Sequence, residues 1–344
     1  MRTESYPRNL SHNLLRATIA FIVEKQKDDG SIPWFEDGVV DPWTHIENAM
    51  AIDVGGYHEE AQKAYEWLAE TQLDDGSWYA SYESGRPKDT SKVSHVVSYI
   101  AVGVWHHFLT TRDKAFLKTM WPTVRAAIDF VLQMRGSNGE IYWARDSKDT
   151  IYPEALVTSC SSIYLSLKSA LCISSVVEED KTTWKQAATE LARAISTMPC
   201  PFSSSRGGSS CFAMDWYYPV MCSVVNGDDA RKRLQQGWDK FVVEGFGSLC
   251  SLEQNWVTAA ETSELALALA VHGDYQRATM VFNWLQQLRD SDGAYWYGIA
   301  LPQRAIWPEE KPTWTSAAVV LAADMFQHMS PTSLLLDHHR PVAP

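Results

Sequence analysis

Two carboxylates stand inside segments otherwise built for burial. Glu47 lies in "THIENAMAIDV" and Glu261 in "TAAETSELALALA". A charge in such a helix is costly unless it has a partner or a task. Burial against apolar rings raises a carboxyl pKa towards the range a general acid needs. Three more acids open or precede apolar segments beside aromatic rings: Asp215 in "DWYYPV", and Glu309 and Glu310 in "WPEEKPTWTSAA". These five are the candidate acid/base groups, with Asp41 of "DPWTHIEN" and Glu154 of "YPEAL" in reserve. Asp41, Asp215 and Glu253 also suit helix N-caps, where the helix dipole favours a negative side chain.

The rings beside these acids suggest the ligand. The chain has 15 Trp and 14 Tyr against only 11 Phe. Trp and Tyr carry a polar handle on an apolar body, so the excess points to a surface meeting something both flat and wet. Sugars fit: their C–H faces stack on rings and their hydroxyls pair with carboxylates. Glycosidic cleavage uses two carboxyls, roughly 5–5.5 Å apart for retention or 6.5–9.5 Å for inversion. Candidate binding residues are Trp34, Asp41, Trp43, His45, Trp78, Tyr152, Trp216, Tyr217, Trp256 and Trp307.

Other chemistries lack their residues. The ten His include no H-x-x-x-H or H-E-x-x-H pair, so no metal site is expected. G-x-S-x-G, G-x-G-x-x-G and a Gly-rich phosphate loop are absent, and no cofactor is expected. A net charge of −12 repels phosphate backbones and disfavours nucleic acid. No apolar run is long enough to span a membrane, and no signal peptide is visible. The six Cys have no C-x-x-C spacing and read as small buried hydrophobes of a cytoplasmic protein. The expected partner is a small-molecule or oligosaccharide substrate; oligomeric state is not legible.

Convergence of scattered acids requires a frame. Charged, striped helices (Leu10–Lys27, Glu59–Gln72, Lys114–Arg135, Thr182–Thr197, Asp229–Val243, Tyr275–Arg289) alternate with smoother apolar ones. The second set is Trp43–Val54, Lys92–Thr110, Ala155–Val177, Trp216–Val225, Val257–His272 and Thr313–Phe326. Striped helices belong outside and apolar ones inside. The alternation predicts an all-α (α/α)6 toroid of six hairpins over 1–329, with a C-terminal tail at 330–344. "KQKDDGSIPWF", "TQLDDGSWYASY", "QMRGSNGEIYWAR" and "QQLRDSDGAYWYGI" place Gly-containing turns where an outer helix ends, followed by strand-like aromatics on one rim. "PFSSSRGGSSC" (201–211) reads as a flap over that rim.

The repeated Gln…Asp-Gly-x-x-aromatic junction and the six hairpins resemble the (α/α)6-toroid superfamily over about Leu10 to Phe326. Two branches are similar: six-hairpin glycosidases of glucoamylase and trehalase type, and terpenoid cyclases with protein prenyltransferase β subunits. "QLDDGSW" is common to both. The Asp-x-Asp-Asp proton donor of the cyclases and the zinc and diphosphate residues of the prenyltransferases have no counterpart here. The glycosidase resemblance implies a general base before the last inner helix, at Glu309 or Glu310. The expected function is a glycoside hydrolase. The alternatives are an isoprenoid cyclase or transferase and a non-catalytic glycan-binding toroid.

Overall fold

Segments with apolar residues three and four apart form helices that bury one stripe. The stretch "HEEAQKAYEWLAET" buries Ala61, Ala64, Tyr65, Trp67 and Leu68 and leaves its acids outside. By contrast, "AAETSELALALAV" buries nearly every side chain after its first turn. The computed structural model describes residues 12–197, 211–331 and 335 and is mostly helical. In chain order its helices are α1 (His12–Val23), α2 (Pro42–Val54), α3 (His58–Thr71), α4 (Ser94–Ser98), α5 (Ile100–Thr111), α6 (Lys114–Leu132) and α7 (Val157–Val176). They continue with α8 (Thr182–Thr197), α9 (Ala213–Met221), α10 (Gly227–Phe241), α11 (Ala259–Val271), α12 (Tyr275–Trp284) and α13 (Thr313–Gln327).

The apolar helices contact one another in a cycle: α2 packs on α5, α5 on α7, α7 on α9, α9 on α11, α11 on α13, and α13 returns to α2. Each is backed by a striped helix, as α2 by α3, α7 by α8 and α11 by α12. The second apolar helix is broken at Tyr99 into α4 and α5, where the sequence predicted one continuous element. Helix starts are capped where the sequence supplies acceptors. Asp41 accepts from Thr44 N ahead of Pro42, Asp113 from Ala115 N and Phe116 N, and Thr258 from Glu261 N.

Short links join each inner helix to the next outer one. The links from outer to inner helices are longer and, among the described residues, carry all the strands. β1 (Val39–Val40), β2 (Ser81–Glu83) and β3 (Arg86–Asp89) make one antiparallel sheet, and β4 (Lys92–Val93), β5 (Ala144–Arg145) and β6 (Ile151–Tyr152) another. β7 (Val242–Val243) pairs with β8 (Gly247–Ser248), and β9 (Trp256–Thr258), β10 (Gly298–Ala300) and β11 (Ala305–Ile306) form the last sheet. The expected strand at Ser31–Phe35 is a turn-rich loop instead. Cys160 and Cys222 are buried as expected, but Cys172 is exposed, a correction to the reading of all six as core residues. The proposed flap lies almost wholly outside the described residues, as does most of the tail. Among the described residues, no helix is long and apolar enough to cross a membrane.

The recurring Gln…Asp-Gly turn has a mechanical role. Gln26 Nε2 donates to its own turn at Gly30 O (3.0 Å) and to Glu60 O of α3 (2.9 Å). Gln72 Nε2 repeats this with Gly76 O (2.9 Å) and Thr123 O of α6 (3.0 Å). Asp29 and Asp75 accept from the backbone N of Ser31 (3.0 Å) and Ser77 (3.1 Å), closing each turn. The turn glycines have φ +90° and +88°, and a Cβ on them would collide with the main chain of Lys63 and Ala126 in the next outer helix. Gly139 meets Glu190 of α8 in the same way. Gly293 meets Ala17 and Thr18 of α1, where Thr18 Oγ1 donates to Gly293 O (2.8 Å) and joins the last hairpin to the first. Each turn thus clamps one hairpin to the next through backbone.

Gly76→Ala is expected to destabilise the protein by roughly 1–3 kcal/mol, from the strained φ and the collision together. Gly56→Ala has a similar φ (+85°) but nothing within 4 Å, and is expected to cost less. Denaturant unfolding of the two variants checks the difference.

Candidate active site

Helix register decides which acids meet. Glu47 sits in the second turn of α2, Glu261 in the first turn of α11, and Glu264 one turn further along the same face. In the cycle of inner helices α2 and α11 are the two neighbours of α13. Glu47 and Glu264 line one narrow axial cavity of about 70 Å³, together with Tyr99. The rest of its wall is largely aliphatic, including Met50, Val102, Leu165, Met221 and Leu267.

Each acid is held by neighbours that set its proton affinity. Burial, the Glu264 charge and the Asp41 charge push Glu47 well above the usual carboxylate range, against the Trp43 indole, which donates to Glu47 Oε1 (2.9 Å). Burial and the Glu261 charge push Glu264 up to about 7. Tyr217 Oη donates to Glu264 Oε2 (2.5 Å) and Tyr218 Oη to Oε1 (2.6 Å), which pulls the value back down. Glu261 is raised by burial, opposed by the Cys250 thiol and a helix N–H, and the Thr258 hydroxyl donates to it. Asp41 is raised by burial, although Thr44 and the Trp34 indole (2.6 Å) donate to it.

Rings enclose this group. Trp43 stacks on Tyr99 with centroids 4.2 Å apart and planes at 5°. Trp34, Trp314, Tyr297, Trp256 and Trp307 form a chain of ring contacts at 6.1, 5.0, 4.8 and 5.2 Å. Trp307, at 54% exposure, is its open end. Its outer rings belong to the lead-in to α11 and the loop before α13, where the Trp256 indole donates to Trp307 O (2.6 Å).

The structure thus brings together Glu47, Glu261, Asp41, Trp34, Trp43 and Tyr217 from among the sequence candidates, with Trp256 and Trp307 on the rim. It places others elsewhere. His45 is fully buried, with Nδ1 accepting from Ile32 N (3.1 Å) and Nε2 on Ala64 O (2.8 Å), so it braces α2 against α3 and meets no ligand. Trp78 is 1% exposed and donates to Leu68 O (2.9 Å); Trp216 donates to Arg233 O (2.7 Å) and stacks on Phe241. Both are packing residues between layers. Asp215 accepts from Thr158 N (3.2 Å) and Thr158 Oγ1 (2.5 Å), tying α9 to α7, and borders a surface hollow with Arg233. Glu309, Glu310 and Glu154 are solvent-exposed. Tyr152 is exposed on β6, stacked with Trp143.

The sequence candidates omit Tyr99, Tyr218, Tyr297 and Trp314 of the site, and also Glu264 and His95. Glu264 lies three positions beyond Glu261 in α11, and the same argument from an apolar helix applies to it. His95, in the lead-in "KDTSKVSHVVSY", packs edge-on against Trp43 (5.0 Å) and is kept neutral by burial, which lowers its pKa to about 4.

Solved structures share this architecture. A wild-type glycosidase matches with TM-score 0.73 at 15% identity over 91% of this chain and 96% of its own. A D-mannose isomerase matches at TM-score 0.69 and 12% identity over 92% of this chain and 99% of its own. An alpha-amylase from Clostridium perfringens matches at 0.67 and 12%, over 92% and 98%. At such identities the likeness is one of fold. No protein-family model matches the chain. In sequence it is 43% identical over 325 residues to the MMP endo-(1,4)-3-O-methyl-alpha-D-mannosidase of Mycolicibacterium hassiacum, covering 94% of this chain and 89% of that one. The chain belongs to the family of that mannosidase, on the glycosidase side of the two branches it resembles.

Glu264 carries a sign-definite test. The folded state keeps its proton up to about 7 whereas the ordinary value is 4.5, so this group makes stability fall as pH rises through that interval. Glu264→Gln is expected to flatten that slope, and Tyr217→Phe to move its upper end to higher pH. Unfolding midpoints measured across the interval check both.

Proposed function

We propose that this protein is a glycoside hydrolase that cuts inside chains of α-(1,4)-linked 3-O-methyl-D-mannose, using a carboxyl pair on an (α/α)6 toroid. The observation that carries the reading is the meeting of Glu47 of α2 and Glu264 of α11 at one cavity, with Glu261 acting on Glu264, in a chain 43% identical to a protein named as a mannosidase of that specificity. Glu47, pushed well above the usual carboxylate range by burial and the Glu264 charge and with Oε1 accepting from Trp43, is the general acid. It protonates the glycosidic oxygen as the bond to the anomeric carbon breaks. Glu261 serves that carbon from the opposite side, the pair's separation selecting water activation or direct attack.

Glu264 assists without touching the reacting bond. Anchored by two phenols, it adds negative charge beside Glu47 once it ionises, near 7, and so favours the protonated form of the acid there. Asp41, held by Trp34 and Thr44, does the same from the start of α2 and orients the Trp34 ring towards the mouth. The aliphatic cavity walls at Met50, Val102 and Leu267 suit a methyl ether, which needs no hydrogen bond, better than a free hydroxyl.

Glu47→Gln and Glu261→Gln are each expected to lower kcat by roughly 10²–10⁴-fold with little change in melting temperature. Reducing-end release from α-(1,4)-linked 3-O-methyl-mannose oligosaccharides measures this. Full turnover by both variants would remove the pair from the mechanism, and no turnover by the wild-type protein would remove the substrate assignment.

A further inference from the structure

Trp143 and Tyr152 stack on each other at 5.6 Å with planes at 24°, and Tyr152 keeps 41% of its surface exposed. An exposed Tyr held flat against a Trp adds little to the core. The pair is nevertheless fixed firmly. It sits at the β5–β6 hairpin, which pairs with β4. Trp143 N donates to Glu154 O (2.8 Å), and Trp143 O accepts from Ser94 N (2.9 Å) and Ser94 Oγ (3.0 Å) at the first residue of α4. Lys92 of β4 bridges Asp75 (2.6 Å) and Asp149 (3.0 Å), tying the hairpin to the preceding turn.

The next residue along α4 leads inward. His95 lies edge-on against Trp43, whose indole donates to Glu47. His95 Nδ1 is buried and has no hydrogen-bond partner. Ser94 and His95 thus connect the hairpin that carries the pair to Trp43 and, through its indole, to Glu47. In the cycle of inner helices, the gap between α5 and α7 is opposite the gap between α11 and α13. Trp256, Tyr297 and Trp307 stand at the second gap and continue through Trp314 and Trp34 to Asp41. Trp314 Nε1 is likewise buried without a partner. The two aromatic runs approach the acids from opposite sides, each with one unsatisfied nitrogen on the way.

We propose that the Trp143–Tyr152 pair is a distal sugar-binding shelf, so that an α-(1,4)-linked methylated mannan crosses the mouth with sugar units bound on both sides of the bond that is cut; this rests on the hydrolase reading above. One flat face per sugar stacks on the shelf. A chain held on both sides is cut internally, whereas a site open on one side only would trim ends.

The test is a length series of α-(1,4)-linked 3-O-methyl-D-mannose oligosaccharides, with kcat/KM measured for each. Tyr152→Ala is expected to lower the ratio of kcat/KM for long members to that for the shortest cleaved member by roughly three- to tenfold, carried by KM. Tyr152→Phe, which keeps the ring, is expected to restore the ratio. Trp143→Ala should act in the same direction, with its melting temperature showing whether the hairpin survives. An unchanged ratio in Tyr152→Ala, with hydrolysis intact, overturns the shelf and leaves the hydrolase reading standing. If the wild-type protein neither binds nor cleaves any member, the hydrolase reading and the shelf fall together.

Discussion

The structure depends on a backbone contact made repeatedly around the ring. The glycine of each Asp-Gly turn lies against the main chain of the next outer helix, with no room for a side chain. Such a contact fixes separation more tightly than interdigitated side chains can, because neither partner has rotamers to adjust. The paired hydrogen bonds of Gln26 and Gln72, each to its own turn and to the next hairpin, orient the same joint. The Gly293 turn rests on α1, so the last joint brings the chain back to its first helix. Everything at the mouth inherits its position from these joints.

Within that frame the mouth is an electrostatic compromise. Glu264 of α11 opposes the ionisation of Glu47 of α2, Glu261 opposes that of Glu264, and burial acts in the same sense on all three. The cost is reduced by donors rather than by cations: indoles of Trp34 and Trp43, phenols of Tyr217 and Tyr218, and hydroxyls of Thr44 and Thr258. An arginine or lysine beside these acids would drive their pKa values down and remove a proton donor at neutral pH. Neutral donors position the carboxyls while leaving the proton affinities high.

The same frame is shared with a glycosidase, an isomerase and an amylase at identities of 12–15%. A shared fold leaves the chemistry to the side chains that the lead-in loops and first turns present. In this chain those turns carry carboxyls over an aliphatic axial cavity.

Much of this was legible in one dimension. The period of the apolar residues identified inner and outer helices, the Gly turns identified the joint, and acids inside apolar helices identified Glu47 and Glu261. All three are local signals: a helix face, a turn geometry and a desolvation cost are set by neighbours a few residues away. Depth and partnership were not legible. His45 and His95 stand equally near helix starts, yet one is spent on the backbone of Ile32 and Ala64 and the other faces Trp43. Trp78 and Trp216 look like rim aromatics, but their indoles are consumed by the carbonyls of Leu68 and Arg233. Glu309 and Glu310 occupy the expected loop but stay in water. Glu264 gains its importance from Tyr217 and Tyr218 of α9 and from Glu47 of α2. The sequence determined which segments become inner helices and marked Glu47 and Glu261 as carboxyls that must be desolvated. Only the closed packing of those helices decided which acids meet, because a pKa and a free hydrogen bond are properties of neighbours far away along the chain.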